Sequence, residues 1–476
     1  MLAFLALVFI LAMTGCSATQ ESAQAESDPS AEPIETDEPT ETIMEQTGND
    51  NAETVPLANI MDQGTCGENL TWTLDDTGTL TIIGTGRMEE FGTGNNSVSP
   101  FGTDVRVVVV STGVESVSDW AFWECENLTR VELSDTVSTV GGLAFWGSLN
   151  LTEIHVDESN PYFADVDGVL YNKDQTALLL CPPGKGLSEY RIPDTVVRIG
   201  DRAFNNCATL ETVAIPDGVT KIGESAFWQC QLLDGVILPT GLITIENDTF
   251  FGCENLSAIV IPPGVIEIGD EAFCSCIALT EVSIPDTVTS IGMYAFMDCP
   301  SLKSITIPDA VTDIPMWMFS GCQQLEKVSG CKGVKSVGQE AFKDCAALTD
   351  IALPETVESI DPTALSGCDL LRSKHTKDGI FIYRNILLGA ENLPRMCTIP
   401  EGVRIIANQA FAGSNPVEIN CPASLRRICD GAFSGCGDLV CLNLNEGCET
   451  IGTDVISKSQ YLRTLTIPQS VTSIGT

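Results

Sequence analysis

The sequence predicts a mainly β fold, a solenoid built as a right-handed array of short coils and closed at its N-terminal end by a β-hairpin cap. Three observations lead there. Phenylalanine recurs every 23 residues, at Phe204, Phe227, Phe250, Phe273, Phe296, Phe319 and Phe342, with Leu365 in the eighth place. A cysteine follows three residues after each, at Cys207, Cys230, Cys253, Cys276, Cys299, Cys322, Cys345 and Cys368. A strict period of this size marks units that bury their apolar sides only against their neighbours. Finally, the 476 residues exceed what one ordinary core holds, a limit that a fold growing along one axis escapes.

Residues 1–15 read as an export signal. The apolar run 2–13 is too short to span a bilayer and suits the core of a signal peptide. It ends in Met13-Thr14-Gly15-Cys16, which resembles the bacterial lipobox. In that family the cysteine is lipidated and becomes the mature N-terminus, a role that Cys16 would inherit. Met13 stands where leucine is usual and no basic residue precedes the run, so a plain secretory signal is the alternative. Residues 16–57 hold the candidate lipidated cysteine and an acidic tether without a basic or aromatic residue, a composition that cannot bury enough to order itself.

Residues 58–110 form the cap. Leu70-Thr71-Trp72-Thr73-Leu74 alternates apolar and polar, Asp75-Asp76-Thr77-Gly78 turns, and Thr79-Leu80-Thr81-Ile82-Ile83-Gly84 returns. Residues 111–476 carry the coils. The unit is V-x-x-I-G-x-x-A-F-x-x-C-x-x-L-x-x-V-x-I-P, complete in residues 265–285. Counting by the phenylalanine place, with Phe122, Phe145, Phe411, Phe433 and Ile456 added, gives about 13 coils of ~23 residues. At ~4.8 Å per stacked strand they span roughly 60 Å. Leu-x-x-Val-x-Ile is a short strand with those three side chains inward, and the proline after it ends the strand by withholding a donor. Val-x-x-Ile-Gly is the return segment, whose glycine permits a tight or left-handed turn. Two inserts break the beat, near 157–190 and 370–398, and both contain Asp-Gly before an apolar, aromatic strand: Asp167-Gly168-Val169-Leu170-Tyr171 and Asp378-Gly379-Ile380-Phe381-Ile382-Tyr383. Each is expected to add a hairpin or a degenerate coil without ending the solenoid.

The unit, repeated over residues 114–474, resembles the BspA-type leucine-rich repeats, also called the Treponema pallidum type. The resemblance extends to Gly64-Thr65-Cys66-Gly67, to the strand after it and to the Asp-Gly inserts. It implies a bacterial surface or secreted protein. Some members bind host matrix proteins or other cells, and the repeats imply no enzymatic activity.

Charge excludes one class of partner. A formal net charge of −41, from 65 acidic against 24 basic residues, argues against nucleic acid, which needs a basic face. The 20 cysteines suggest disulfides in an exported chain, but Cys125, the eight from Cys207 to Cys368, and Cys436 share one repeat position that Ser148, Ser414 and Ser459 fill in other coils. Stacked neighbours there would point their Cβ vectors in parallel, which suits a disulfide poorly. The ladder therefore reads as buried thiols packing as small hydrophobes. Cys274 with Cys276, and Cys429 with Cys441 or Cys448, are the better disulfide candidates. No second cysteine pair at zinc spacing, two distant histidines (His155 and His375), and no nucleophile elbow or phosphate loop leave no metal, cofactor or catalytic set.

What remains is the outward strand face: Thr212, Ala214, Ile237, Ala258, Val260, Glu281, Ser283, Thr306, Lys327 and Asp350. Solenoids use such extended faces for partners. The expectation is an exported, lipid-anchored cell-surface protein that binds an extracellular protein or glycan without chemistry and meets the membrane only through its lipid. The alternatives are a scaffold or anchoring subunit of a bacterial envelope complex, or part of a larger multidomain surface protein, since residues 471–474 begin a further coil.

Overall fold

The computed structural model describes residues 59–91 and 99–475. The expected export signal, Cys16 and the acidic tether lie outside the described residues. Within them the chain is a β-solenoid of about 16 coils of ~23 residues. That is three more than the phenylalanine count, and each extra coil has an identifiable origin.

The first extra coil lies inside the expected cap. Strands β1 (Ile60–Gly67), β2 (Leu70–Asp75) and β3 (Thr79–Gly84) pair antiparallel, and β3 then pairs in parallel with β4 (Val107–Val110). The cap is thus three strands rather than a hairpin alone, and it continues the sheet of the first coils. Trp72 meets Phe101 edge-on at 5.5 Å, and Phe101 stacks on Phe122 at 5.2 Å. Phe101 is therefore the first rung of the ring ladder, missed in sequence because no Ala-Phe or ladder cysteine accompanies it.

Through the regular block the rings stack face to face, at 5.1 Å for Phe204 and Phe227 and 5.5 Å with a 1° interplanar angle for Phe227 and Phe250. Burying each such ring is worth about 1.5–3 kcal/mol. The cysteine beside it has a second duty. Cys230 Sγ–H donates to the Phe204 carbonyl at 3.0 Å, and Cys368 to that of Phe342 at 2.9 Å. Ser148 Oγ donates in the same way to the Phe122 carbonyl at 2.7 Å, so the site asks for a small hydrogen-bond donor, not only a small side chain. The described cysteines are all free, including Cys274, Cys276, Cys429, Cys441 and Cys448, so the disulfide candidates are not bridged.

The return segment corrects one expectation. The Ile-Gly glycines such as Gly223 and Gly292 are not left-handed; a Cβ on Gly292 would overlap the backbone nitrogen of Asp270 in the coil before. Close stacking, not turn conformation, requires them. The left-handed residues instead flank the phenylalanines of the regular block, two before and two after, as at Tyr294 (φ 59°) and Asp298 (φ 53°) around Phe296. Most coils place an ordinary side chain there, at a strain the stacking must offset.

The other extra coils are the two inserts. In the first, strands Phe163–Val166, Val169–Asn172 and Ala177–Leu180 form an antiparallel meander whose last strand pairs in parallel with Arg198–Ile199. Cys181 takes the phenylalanine place: its N–H donates to the Ala203 carbonyl, as that of Phe204 does to Ala226. The second is a meander of Thr376–Lys377, Ile380–Tyr383 and Ile386–Ala390, whose last strand pairs with Ile405–Ile406. An α-helix, α1 (Asp369–His375), precedes it. Lys374 and Thr376 stand where Val and Ile recur in the unit, so a strand here would bury an ammonium group, and the chain coils into a helix instead. No described helix is long and apolar enough to cross a membrane.

Candidate functional site

The strand face and the second insert are the two distinctive surfaces of the solenoid. Each coil of the face is a short parallel strand with its middle residue buried and its flanking residues outward. Val213, Ile259 and Val282 point inward, while Thr212, Ala214, Ala258, Val260, Glu281 and Ser283 are exposed. Register stacks the outward residues into two rows, with Ala258 opposite Glu281 and Val260 opposite Ser283. Farther along, Lys327 sits between Ser304 and Asp350, and Thr306 bonds Ser329 hydroxyl to hydroxyl at 2.7 Å.

The apolar centre is Ile237, 86% exposed, beside Val260 at 68%. Here the strand narrows to one bridge, Val236 to Ile259, because Gly235 turns left-handed at φ 81°. The strand ladder is therefore thinnest at the face's most apolar point, which sequence spacing did not reveal. Asp350 also differs from expectation: it is half-buried, pairs with Arg384 at 3.2 Å and lies 3.1 Å from the Tyr383 hydroxyl oxygen. It belongs to the second insert more than to the open face. A polar stretch that sequence reading passed over continues the face in the last coils. There the Asn443 amide donates to Asn420 Oδ1 at 2.7 Å and to Glu418 Oε1 at 3.2 Å.

The second insert opens a cleft of about 740 Å³, lined by Arg372, Thr376, Phe381, Glu391, Leu393 and Pro394 among others. Its origin is a short turn. From the return residue to the next strand, regular coils run from Ile199 to Thr212, whereas this coil runs only from Leu387 to Met396. The segment that would carry Ala-Phe is missing, and the cleft is the space it leaves. The overall beat hides this, because the preceding interval, Ile360 to Leu387, is longer by the same four residues. Arg372 lies over the Phe381 ring at 4.7 Å and faces Glu391 at 3.6 Å.

Ladder thiols are poor nucleophiles: burial pushes Cys322 up to about 12 and raises Cys299 and Cys276 well above the usual thiol range. Among the described residues no group of three or more His, Cys, Asp or Glu is placed to hold a metal ion. His155 keeps to the surface, 3.1 Å from Glu153 and 3.7 Å from Asp165.

Comparison with known proteins agrees with this architecture. The pattern described as the BspA type leucine rich repeat region matches in six copies, over residues 101–165, 184–299, 266–393 and 382–476. No curated protein matches the chain. Among solved structures, a leucine-rich repeat protein from Eubacterium ventriosum is 22% identical with a TM-score of 0.40, over 74% of this chain and 94% of that one. One from Bacteroides ovatus is 22% identical, TM-score 0.40, over 86% and 89%. A leucine rich cell surface protein from Faecalibacterium prausnitzii is 24% identical, TM-score 0.38, over 82% and 96%.

Proposed function

Because this chain belongs to the BspA-type leucine-rich repeat family, we propose that it is an exported lipoprotein, held at the bacterial surface through Cys16, that recognises an extracellular protein or glycan through its strand face. The observation that carries the reading is the pairing of Ile237 and Val260, 86% and 68% exposed, on neighbouring coils of an otherwise small and polar face. Exposed β-branched residues side by side offer a partner a dehydrated anchor, and the polar rows around them keep the free protein soluble. Recognition needs no chemistry: the reactive side-chain types are buried, scattered or paired. A net charge of −41 keeps a surface-displayed rod from adsorbing to anionic head groups.

The test is binding of the purified protein to a panel of matrix proteins, mucin, polysaccharides and whole cells. A ligand on that panel is expected to be lost at least tenfold in affinity on Ile237→Asp with Val260→Asp, with unchanged circular dichroism. Absence of any ligand, or a ligand indifferent to the pair, overturns the reading. For the anchor, Cys16→Ala is expected to move the protein from the membrane to the soluble fraction; retention in the membrane overturns it.

A further inference from the structure

We propose that the strand Met396–Thr398 is an open docking edge for an acidic, extended peptide segment of a partner protein, which pairs with it as an added strand. This goes beyond the strand-face reading and does not depend on it.

The backbone register makes the edge. In a parallel ladder, alternate residues aim their N–H and C=O at opposite neighbours. Met396 pairs with Glu418 and Thr398 with Asn420. The Glu418 N–H donates back to the Arg395 carbonyl at 3.0 Å, and the Asn420 carbonyl accepts from the Ile399 N–H at 2.9 Å. Glu418 and Asn420 thus face the coil before them. By the same register Met396 and Thr398 face the coil before theirs, where α1 stands in place of a strand and offers no ladder to pair with. Among the described residues Met396–Thr398 pairs in a sheet only with Glu418–Asn420, and outside that ladder no backbone hydrogen bond reaches Met396 or Thr398. Both residues are exposed, Met396 at 64%.

The opposite side of the same gap is finished. There the last strand of the regular block, Asp350–Ile351, has its free edge capped. The Tyr383 hydroxyl accepts from the Ile351 N–H at 2.7 Å and donates to the Ile351 carbonyl at 2.8 Å, and Arg384 adds a bond to that carbonyl at 2.6 Å. Proteins blunt exposed strand edges because unpaired edges recruit other chains. This one blunts the first edge with two side chains and leaves the second bare beside a cleft of about 740 Å³. The strand Glu189–Arg191 also opens a sheet after the first insert, but the space near it, under Pro182 and Leu187, is only about 10 Å³. Of these two gaps the second has the larger space.

Charge selects the occupant. Residues 369–404 contain six Lys or Arg and four Asp or Glu, a local balance of +2 (6 − 4) in a chain at −41. Arg372 and Arg384 are paired with Glu391 and Asp350. Lys374, Lys377 and Arg395 are exposed and form no ion pair among the described residues. An extended peptide with acidic side chains meets these cations while its backbone carbonyls and amides complete the ladder, the strand-addition mode of peptide recognition.

The probe is a fluorescein-labelled octapeptide alternating glutamate with valine and threonine, read by anisotropy against the full-length protein at low and physiological salt. Saturable binding is expected, weakened at least tenfold by N-methylation of the peptide backbone and by replacing its glutamates with lysines. Met396→Pro removes one edge N–H at a position where proline is tolerated, and should cost about tenfold. Lys377→Glu with Arg395→Glu should abolish binding. Hydrogen exchange on the unmutated protein gives an independent readout: the Met396 and Thr398 amides should exchange fast when free and become protected with peptide. The proposal is overturned if the N-methylated or lysine peptide binds equally, if only anionic lipid vesicles bind, or if those two amides stay unprotected. The Ile237→Asp, Val260→Asp protein should still bind the octapeptide, which separates this outcome from failure of the strand-face reading.

Discussion

The two inserts start from one plan and end in different surfaces. Both are three-stranded meanders that turn on Asp-Gly with both residues left-handed, Asp167 (φ 49°) with Gly168 (φ 75°) and Asp378 (φ 50°) with Gly379 (φ 82°). That is the two-residue hairpin turn whose twist matches paired strands. Both carry a buried tyrosine on the second strand, Tyr171 and Tyr383. In the first insert Tyr171 bonds Tyr190 hydroxyl to hydroxyl at 2.6 Å, and Tyr190 packs edge-on against Phe204 at 5.7 Å, which fills the space left by Cys181 in the phenylalanine place. The edge of the preceding strand is capped half by backbone and half by a side chain: the Ile154 N–H donates to the Gly168 carbonyl at 3.0 Å and the Val156 N–H to the Asp165 carboxylate at 2.8 Å. In the second insert the coil is shorter, the ring place is vacant, and the cap depends on the side chains of Tyr383 and Arg384. Loss of a few turn residues thus converts a sealed coil into an open one, because each coil is buried only by its neighbours.

The largest effect expected on this contrast is in the ring ladder. Phe273→Ala, which imposes a vacant ring place on the regular block without a meander to fill it, should cost about 3–5 kcal/mol in chemical denaturation. A loss below about 1 kcal/mol would mean that the block tolerates gaps as the inserts do. Next is the cap itself. Tyr383→Phe leaves the N–H and one bond of the carbonyl of buried Ile351 unpaired and should cost about 1–3 kcal/mol, whereas Asp165→Ala in the first insert frees only the half-buried Val156 N–H, the Ile154 N–H keeping its backbone partner, and should cost about 1 kcal/mol or less. Equal losses at the two sites would erase the difference drawn between them.

Regular stacking also forces like side chains together. Burial and the nearby Glu224 push Asp248 up to about 6, and burial and Asp248 push Glu271 up to about 7, against usual values near 4. The folded state therefore holds protons that the unfolded chain releases. Stability from these two groups is fully present below about pH 4 and is lost as pH rises toward 7. Asp248→Asn with Glu271→Gln should raise the melting temperature at pH 8 and leave it nearly unchanged at pH 4; a drop at pH 8 would refute the assignment. The smallest effect belongs to the thiol ladder. Cys253→Ser keeps the bond to the Phe227 carbonyl, 3.2 Å in the native protein, and should stay within about 1 kcal/mol of it, while Cys253→Ala leaves that carbonyl short of a donor and should cost more.

Much of this fold was legible because a one-dimensional stack writes its neighbours into the sequence at a fixed interval. Phe227, Cys230 and Leu233 could be read as one coil because the same roles return at Phe250, Cys253 and Leu256. The Ser148, Ser414 and Ser459 substitutions already marked the ladder as a size-limited interior site; that it also needs a donor took the carbonyl geometry. The outward residues from Thr212 to Lys327 followed from strand alternation alone, with Asp350 the exception, drawn in by a tyrosine and an arginine more than 30 residues later.

By itself, then, the sequence determined the repeat, the buried rings and thiols, and the two hairpins announced by Asp-Gly, since each depends on local spacing or on contact with the next coil. Tertiary structure alone decided the second insert. Lys374 and Thr376 at inward places signal that a strand fails there, but not that a helix replaces it. The compensating lengths on either side of Leu387 preserve the beat while emptying a turn. Whether an edge is capped or bare depends on which side chains cross the gap, and periodicity carries no information about contacts that occur only once.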